Sequence, residues 1–335
     1  RAGAGVNNIP VERLTHRGVA VFNAPGANAN AVKELVIAGM LLAARNICRS
    51  WAFARGLEGD NVALRRQVEA GKKQFVGFEL PGRTLGVIGL GSIGVQVANA
   101  AIALGMKVIG YDQDITVQRA WQLSSQVQQA MSVDDLLARS DFVTFHTPLT
   151  ESTRNMINPE RLKILRDGAV VLNFARDGIV DNAAILEALD AGRVYAYVCD
   201  FPHRDLQHHE RVIALPHIGA STREAEENCA VAVVDEVRDY LEHGIVRNSV
   251  NFPEVVMPRT EGFRLAVVNS NVPNMVGQIS TALADSDLNI LDMLNKSRGE
   301  VAYNLVDVNA SIPESTLAEI RSIEGVLAVR VLNGG

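Results

Sequence analysis

The sequence predicts an α/β chain: a doubly wound parallel sheet followed by a small βαββαβ tail. Two observations carry the sheet. Short apolar runs alternate with helical patterns from Thr84 to Ala214, and a glycine-rich turn, Gly89-Leu-Gly-Ser-Ile-Gly94, joins the first such run to the helix after it. A third observation carries the tail. From Phe263 to Leu332 the patterns run strand, helix, strand, strand, helix, strand, which is a ferredoxin-like order.

Taken in order, the chain first offers a short strand over Gly18–Phe22 and a loop over Asn23–Asn28. One long helix is predicted over Ala31–Arg49, with Val32, Leu35, Val36, Gly39, Met40 and Ala43 on one stripe. The polar stretch from Trp51 to Gly77 reads as helix plus loop, with Gly71 as the stop. Sheet strands are predicted at Thr84–Ile88, Met106–Tyr111, Phe142–Phe145, Ala169–Asn173, Tyr195–Cys199 and Val212–Ala214. The helices between them fall at Val95–Leu104, Val133–Ala138, Pro159–Leu165 and Ala183–Ala191. Ser221–His243 reads as one long helix, and Phe252–Pro258 as a proline-punctuated linker. In the tail, strands are expected at Phe263–Asn269, Asn289–Ser297, Ala302–Asn309 and Val326–Leu332, and helices at Met275–Ser286 and Glu314–Ile323.

The expected domain plan follows. Residues 1–22 are a remnant of a substrate-facing lobe whose earlier part is missing, because Arg1-Ala-Gly-Ala-Gly-Val reads like the middle of a strand–loop unit. Residues 23–219 form the sheet domain, 220–257 return to the partial lobe and end in the linker, and 262–333 form the tail.

Composition narrows the function. The chain has 335 residues, enough for two or three domains, with 47% hydrophobic and 21% charged residues, as in ordinary soluble chains. A net charge of −6 without a basic block argues against nucleic acid. No apolar run approaches the roughly 18 residues of a membrane span. Cys48, Cys199 and Cys229 form no CxxC pair, which argues against disulfides and zinc and for a reducing cytoplasm. His203, His208 and His209 share a polar loop without a ligand set around them, so no metal is expected there.

The glycine-rich turn stands in the context that dinucleotide binding demands, after a strand and opening a helix. Gly89 permits the tight turn, Gly91 lets the backbone approach a pyrophosphate, and Gly94 allows close helix–strand packing. Ser92 and Ile93 complete the loop, and the helix start offers N–H groups and positive dipole to phosphates. Asp112 ends the second strand, 18 residues after Gly94. A carboxylate there accepts hydrogen bonds from ribose hydroxyls and repels a 2′-phosphate, so the expected cofactor is NAD rather than NADP. The sheet is thus Rossmann-type.

Three polar residues follow strands of the same sheet. Arg176 comes after Val170-Val-Leu-Asn-Phe-Ala, Asp205 lies in the loop after Cys199, and His217 lies in Leu215-Pro-His-Ile-Gly-Ala-Ser221. Ligands of open α/β sheets bind beyond the carboxyl ends of the strands. An Arg, a carboxylate and a His there could bind a 2-hydroxy acid and take its proton.

The segments Asn173-Phe-Ala-Arg-Asp-Gly178, His146-Thr-Pro-Leu-Thr150 and Pro216-His-Ile-Gly-Ala-Ser-Thr222 resemble the signatures of D-isomer-specific 2-hydroxyacid dehydrogenases. Phe22-Asn-Ala-Pro-Gly-Ala-Asn28 and Val250-Asn-Phe-Pro253 look more particularly like the phosphoglycerate dehydrogenases among them, and the tail resembles an ACT regulatory domain. The resemblance implies that Arg176 binds the substrate carboxylate and carbonyl and that His217 is the acid/base. Asp205, 29 residues after Arg176, occupies the place where the family usually has Glu, and Glu210 is the alternative partner for the imidazole. It places His146, Thr147, Pro148, Ala175 and Asp200 beside the cofactor and Asn28 against the substrate. It implies 3-phosphoglycerate as substrate, a homodimer or homotetramer, and L-serine as an effector held by Asn269, Asn271 and Asn289. Where the family often has Pro-Gly, this chain has Pro273-Asn274, and Asn tolerates the left-handed backbone better than most residues.

Overall fold

Runs such as Thr84–Ile88 and Ala169–Asn173 are apolar at nearly every position, which suits strands covered on both faces. All five residues of each are buried in the computed structural model, which describes residues 1–259 and 262–332. The chain divides into two units, Ala29–Ala225 and a second made of Arg1–Asn28 with the residues from Glu226 onward.

The Ala29–Ala225 unit holds α2 (Ala29–Ala44), α3 (Ile47–Arg55), α4 (Asn61–Gly71), β1 (Thr84–Ile88), α5 (Ser92–Ala103), β2 (Lys107–Tyr111), α6 (Val117–Gln122), β3 (Gln128–Gln129), α7 (Val133–Arg139), β4 (Phe142–Phe145), α8 (Pro159–Ile164), β5 (Ala169–Asn173), α9 (Asn182–Asp190), β6 (Val194–Cys199) and β7 (Val212–Ala214). Its strands form one parallel sheet in the order β3-β2-β1-β4-β5-β6-β7. The order reverses between β1 and β4, which opens a crevice at their carboxyl ends. Alternate strand residues face opposite layers. Leu85, Val87, Phe142 and Val170 pack with α2 and α5, while Ile88, Val143, Phe145 and Val171 pack with α7, α8 and α9.

The helix predicted over Ala31–Arg49 is in fact two helices, α2 and α3, broken at Asn46, which takes a left-handed φ of 52°. Its amide donates to the Tyr195 hydroxyl at 2.8 Å, and at Gly77, just ahead of Phe78, a Cβ would come within 2.0 Å of the Ala44 carbonyl oxygen. A straight helix would lose both arrangements. The stretch after β2 also contains α6 and the two-residue β3, neither of which has apolar periodicity to announce it.

The other unit contains α1 (Val11–His16), most of α10 (Arg223–His243), and the tail elements β8 (Phe263–Ser270), α11 (Met275–Ala284), β9 (Ile290–Arg298), β10 (Val301–Val308), α12 (Glu314–Ser322) and β11 (Val326–Leu332). The strand predicted over Gly18–Phe22 is reduced to a single bridge from Phe22 to Ser249. Polar side chains do the work of a ladder instead: Asn251 accepts from the Val21 N–H at 2.8 Å and donates to the Val19 carbonyl at 2.9 Å. The tail forms an antiparallel sheet in the order β11-β8-β10-β9, the ferredoxin-like arrangement expected, as far as residue 332; the expected end at 333 lies outside the described residues. One sheet face packs on α11 and α12 through Leu265, Val267, Ile279, Leu283 and Leu317. The other packs on Phe22, Val246, Phe252, Val255 and Met257. Arg264, fully buried, makes a forked pair with Asp307 at 2.7 and 2.8 Å and donates to the carbonyls of His243, Met257 and Pro258. Every charge-bearing nitrogen is thereby supplied with acceptors, which a buried guanidinium requires. No helix among the described residues is long and apolar enough to cross a membrane.

Candidate active site

The glycine-rich turn leaves β1 with Gly89 at φ +91°. A Cβ there would come within 2.6 Å of the His146 carbonyl oxygen, so the loops after β1 and β4 abut and only glycine fits. At Gly94 a Cβ would lie 1.9 Å from the Gly89 carbonyl oxygen, which seats α5 directly on the turn. Gly91 differs. A Cβ there meets nothing within 4 Å, and α5 starts at Ser92 without a side-chain cap. The unfilled space and the free N–H groups of the first turn lie together, as an anion requires.

Asp112 folds back on this turn. Its carboxylate accepts from the Leu90 N–H at 2.6 Å and the Asp114 N–H at 2.9 Å, which fixes its oxygens beside the loop while leaving lone pairs for a diol. On the β4 side, His146 Nε2 lies 3.1 Å from Thr144 Oγ1, and burial holds its pKa down to about 3, so the ring is neutral. His146 Nδ1 and Thr147 Oγ1 are buried without hydrogen-bond partners among the described residues. Orphaned polar atoms of this kind cost stability unless a ligand serves them. Pro148 follows at the surface. The open cradle at Gly91, the placed Asp112 carboxylate and the two orphaned atoms fit a dinucleotide.

Beyond the carboxyl ends of β5, β6 and β7 stand Arg176, Asp200 and His217. Asn173 ties the β5 loop by donating to the Arg176 carbonyl at 3.0 Å and accepting from the buried Ala175 N–H at 3.2 Å. The exposed Arg176 guanidinium donates to the Ala175 carbonyl at 2.6 Å and has no carboxylate within 4.0 Å among the described residues. It remains free to take a substrate carboxylate in forked geometry. Asp200, buried behind β6, accepts from the Ile218 and Gly219 N–H groups, both at 2.8 Å. This holds the chain just after His217, whose own backbone is left-handed at φ 56° and whose exposed ring packs on Phe201 with centroids 5.1 Å apart.

The carboxylate expected to hold the His217 imidazole is elsewhere. Asp205 Oδ2 lies 3.6 Å from His203 Nδ1, and Glu210 pairs with Arg49 at 3.2 Å and Arg211 at 3.7 Å. Asp205 is two-thirds exposed on the loop after β6, where its carboxylate meets the imidazole two residues before it. The carboxylate that bonds the chain next to His217 is Asp200, which takes the backbone N–H groups of the two residues after the histidine rather than its ring. Sequence reasoning places Asp200 only beside the cofactor; a carboxylate directly after a buried strand, with no basic residue immediately beside it in sequence, is the signal for main-chain partners. Asn28 closes the first segment of the other unit, on the loop leading into α2.

In the tail, the three asparagines do not converge within one chain. Asn269 donates to the Ser270 carbonyl and accepts from Asn304, which in turn accepts from Asn295, both links at 2.6 Å across the sheet. Asn271 donates to the Gly299 carbonyl at 3.0 Å. Asn289 instead meets Asn309 at the opposite end of the sheet, because β9 runs parallel to β8 with β10 between them. Asn274 does take the left-handed conformation that its position asks for, at φ 67°.

An unfilled glycine cradle, a carboxylate anchored at the glycine turn, and an Arg and a His beyond the carboxyl ends of the same sheet define a dinucleotide-binding protein. The chain belongs to the family of D-isomer specific 2-hydroxyacid dehydrogenases: residues 37–219 match its NAD binding domain. It is 36% identical over 314 residues to a D-3-phosphoglycerate dehydrogenase of Methanocaldococcus jannaschii, covering 92% of this chain and 56% of that one, so it spans little more than half of that relative. It is 33% identical to a D-3-phosphoglycerate dehydrogenase of Haemophilus influenzae, covering 98% of this chain and 79% of the other. A hydroxypyruvate reductase of Thermotoga maritima is 38% identical over 246 residues, 71% of this chain and 75% of its own.

Proposed function

We propose that this chain carries the NAD-dependent oxidation of 3-phosphoglycerate at C2, giving 3-phosphohydroxypyruvate, the entry step to serine, in the cytoplasm. The observation that carries the reading is an Arg176 guanidinium with no carboxylate partner among the described residues and a His217 turn pinned by Asp200, beyond the carboxyl ends of β5 and β7 in an NAD binding domain. Gly91, Ser92, Ile93 and Asp112 hold the cofactor's phosphate and ribose, while His146, Thr147, Pro148 and Ala175 line its nicotinamide side. Bound there, the nicotinamide supplies the hydride acceptor.

Arg176 holds the substrate carboxylate and draws electron density from the C2 oxygen. His217 Nε2 or Nδ1, whichever is unprotonated, takes the hydroxyl proton. Asp200 holds the backbone that presents the ring. Neutral His146 takes no part in proton transfer at ordinary pH, since it stays unprotonated down to about 3. Asp205 would tune His217 only after leaving His203.

Likeness to a hydroxypyruvate reductase favours a second reading, reduction of hydroxypyruvate or glyoxylate. Steady-state turnover of 3-phosphoglycerate with NAD, set against hydroxypyruvate and glyoxylate with NADH, separates the two. A higher kcat/KM for either unphosphorylated acid sinks the first reading.

The tail reads as an ACT-type effector module that joins copies of the chain into a homodimer or homotetramer and binds L-serine. The Asn269–Asn271 end of the sheet is the better-supported contact, since Asn289 lies at the other end. Calorimetric titration of the whole chain with L-serine tests it; absence of heat at millimolar serine leaves the tail to assembly alone.

A further inference from the structure

Arg119 on α6 is a charged side chain that no motif accounts for. Its guanidinium reaches back to the dinucleotide turn, donating through Nη2 to Ser92 Oγ at 2.6 Å and through Nη1 to Gln122 Oε1 at 3.0 Å. Both acceptors are neutral, and no carboxylate lies within salt-bridge distance of Arg119 among the described residues. The residue is half-buried. Ser92 is the first residue of α5, where the helix dipole is positive, so a cation there is repelled by the helix it touches. Asp112 does not relieve the repulsion by pairing: its oxygens accept from the Leu90 and Asp114 N–H groups, and it lies outside salt-bridge distance of Arg119. Three features therefore share one need: an uncapped helix start, open space above Gly91, and a guanidinium without a counterion. A bound anion satisfies all three.

We propose that Arg119 is a cofactor-binding residue that closes on the pyrophosphate of the dinucleotide, opposite the α5 N–H groups. The assignment rests on the NAD reading above and adds a residue to it. Arg119 and Asp112 then divide the adenosine diphosphate half between them. The guanidinium attracts the diphosphate that both nicotinamide cofactors carry, and the carboxylate faces the ribose that distinguishes them. The α5 cradle alone would bind either cofactor's diphosphate; Arg119 strengthens that grip without changing which one is preferred.

The test is fluorescence titration of NADH into the chain and into Arg119→Gln and Arg119→Lys, with NADPH as a second ligand and ADP-ribose and adenosine as displacers. Arg119→Gln is expected to weaken NADH, NADPH and ADP-ribose alike, each roughly tenfold, as for loss of a charge-assisted hydrogen bond. Adenosine, which has no phosphate, should be unaffected. Arg119→Lys should recover part of the loss, keeping the charge without the fork. Unchanged NADH affinity in Arg119→Gln overturns the assignment. So does an equal loss for adenosine, which would mean general damage to the adenine side, or a loss confined to NADPH, which would place the guanidinium on the 2′-phosphate. Failure of the unaltered, folded chain to bind NADH at all would overturn the cofactor reading itself.

Discussion

The Asp200 carboxylate grips the backbone of Gly219: Oδ2 accepts the Gly219 N–H at 2.8 Å while Oδ1 takes that of Ile218 at the same distance. The two bonds fix the chain on the far side of His217, a non-glycine residue held in a left-handed conformation. Such a conformation persists only where its surroundings over-determine it. Asp200→Asn keeps the shape but turns one acceptor into a donor facing an N–H. The expected loss is about 1–3 kcal/mol of stability. Hydrogen exchange at the Ile218 and Gly219 amides should accelerate while the rest of β6 stays protected. Unchanged exchange there would show that the turn holds itself.

His217→Asn removes the proposed proton acceptor from a turn that tolerates Asn, since Asn accepts left-handed backbone. Turnover is expected to fall by roughly 10²–10⁴-fold with NADH affinity nearly unchanged. Asp205→Asn should leave the acid limb of the pH profile in place, because Asp205 faces His203. A shift of that limb would show that the 203–210 loop rearranges to bring its carboxylate to the imidazole.

Asp112 is the residue proposed to set cofactor choice. Preference for NAD over NADP is expected to be at least roughly tenfold in kcat/KM, and Asp112→Ser should narrow it. The same substitution withdraws charge from the Leu90 and Asp114 N–H groups, so some thermal stability should go with it. Equal use of both cofactors by the unaltered protein would contradict the role given to this residue.

Much of this architecture is legible in the sequence because burial on both faces writes itself as apolar runs. Val170-Val-Leu and Phe142-Val read as strands from their residue types alone, and both are buried strands in the fold. Where order rests on polar contacts, legibility ends. The break between α2 and α3 is made by Asn46, whose amide reaches Tyr195 far along the chain, and no glycine or proline marks it. Residues 18–22 look like a strand by composition, yet Asn251 and Ser249 side chains take up their backbone groups. The site divides the same way. The glycine turn and Asp112 follow from local spacing. The partner of a loop histidine depends on which exposed carboxylate finds which neighbour, and spacing along the chain does not encode that for Asp205.

His146 makes stability depend on pH. Burial holds its folded pKa at about 3, below the ordinary 6.5. Above about 6.5 both folded and unfolded chains carry it neutral, and it contributes no slope. As pH falls from there toward 3, only the unfolded chain takes up the proton, so folded stability drops by up to about 1.4 kcal/mol per pH unit. Urea midpoints at pH 7 and pH 4.5 should therefore lie further apart in the unaltered chain than in His146→Gln. Equal separations would mean that His146 is protonated in the folded state.

Gly91 and Gly94 separate folding from binding within one motif. Gly94→Ala drives a methyl to 1.9 Å from the Gly89 carbonyl oxygen, which only displacement of α5 can relieve. A marked fall in Tm is expected, of the size seen for overpacked cores, typically about 1–3 kcal/mol or more. Gly91→Ala has φ −73°, open to any residue, and its methyl meets nothing within 4 Å. This variant should fold with an unchanged or slightly raised Tm, because alanine narrows the unfolded ensemble. Yet the space it fills is the space assigned to the pyrophosphate. NADH titration should show its affinity falling at least roughly tenfold, a cost of about 1.4 kcal/mol or more. If Gly91→Ala binds NADH as well as the unaltered chain does, the phosphates do not approach the backbone there, and the cradle above α5 serves another purpose.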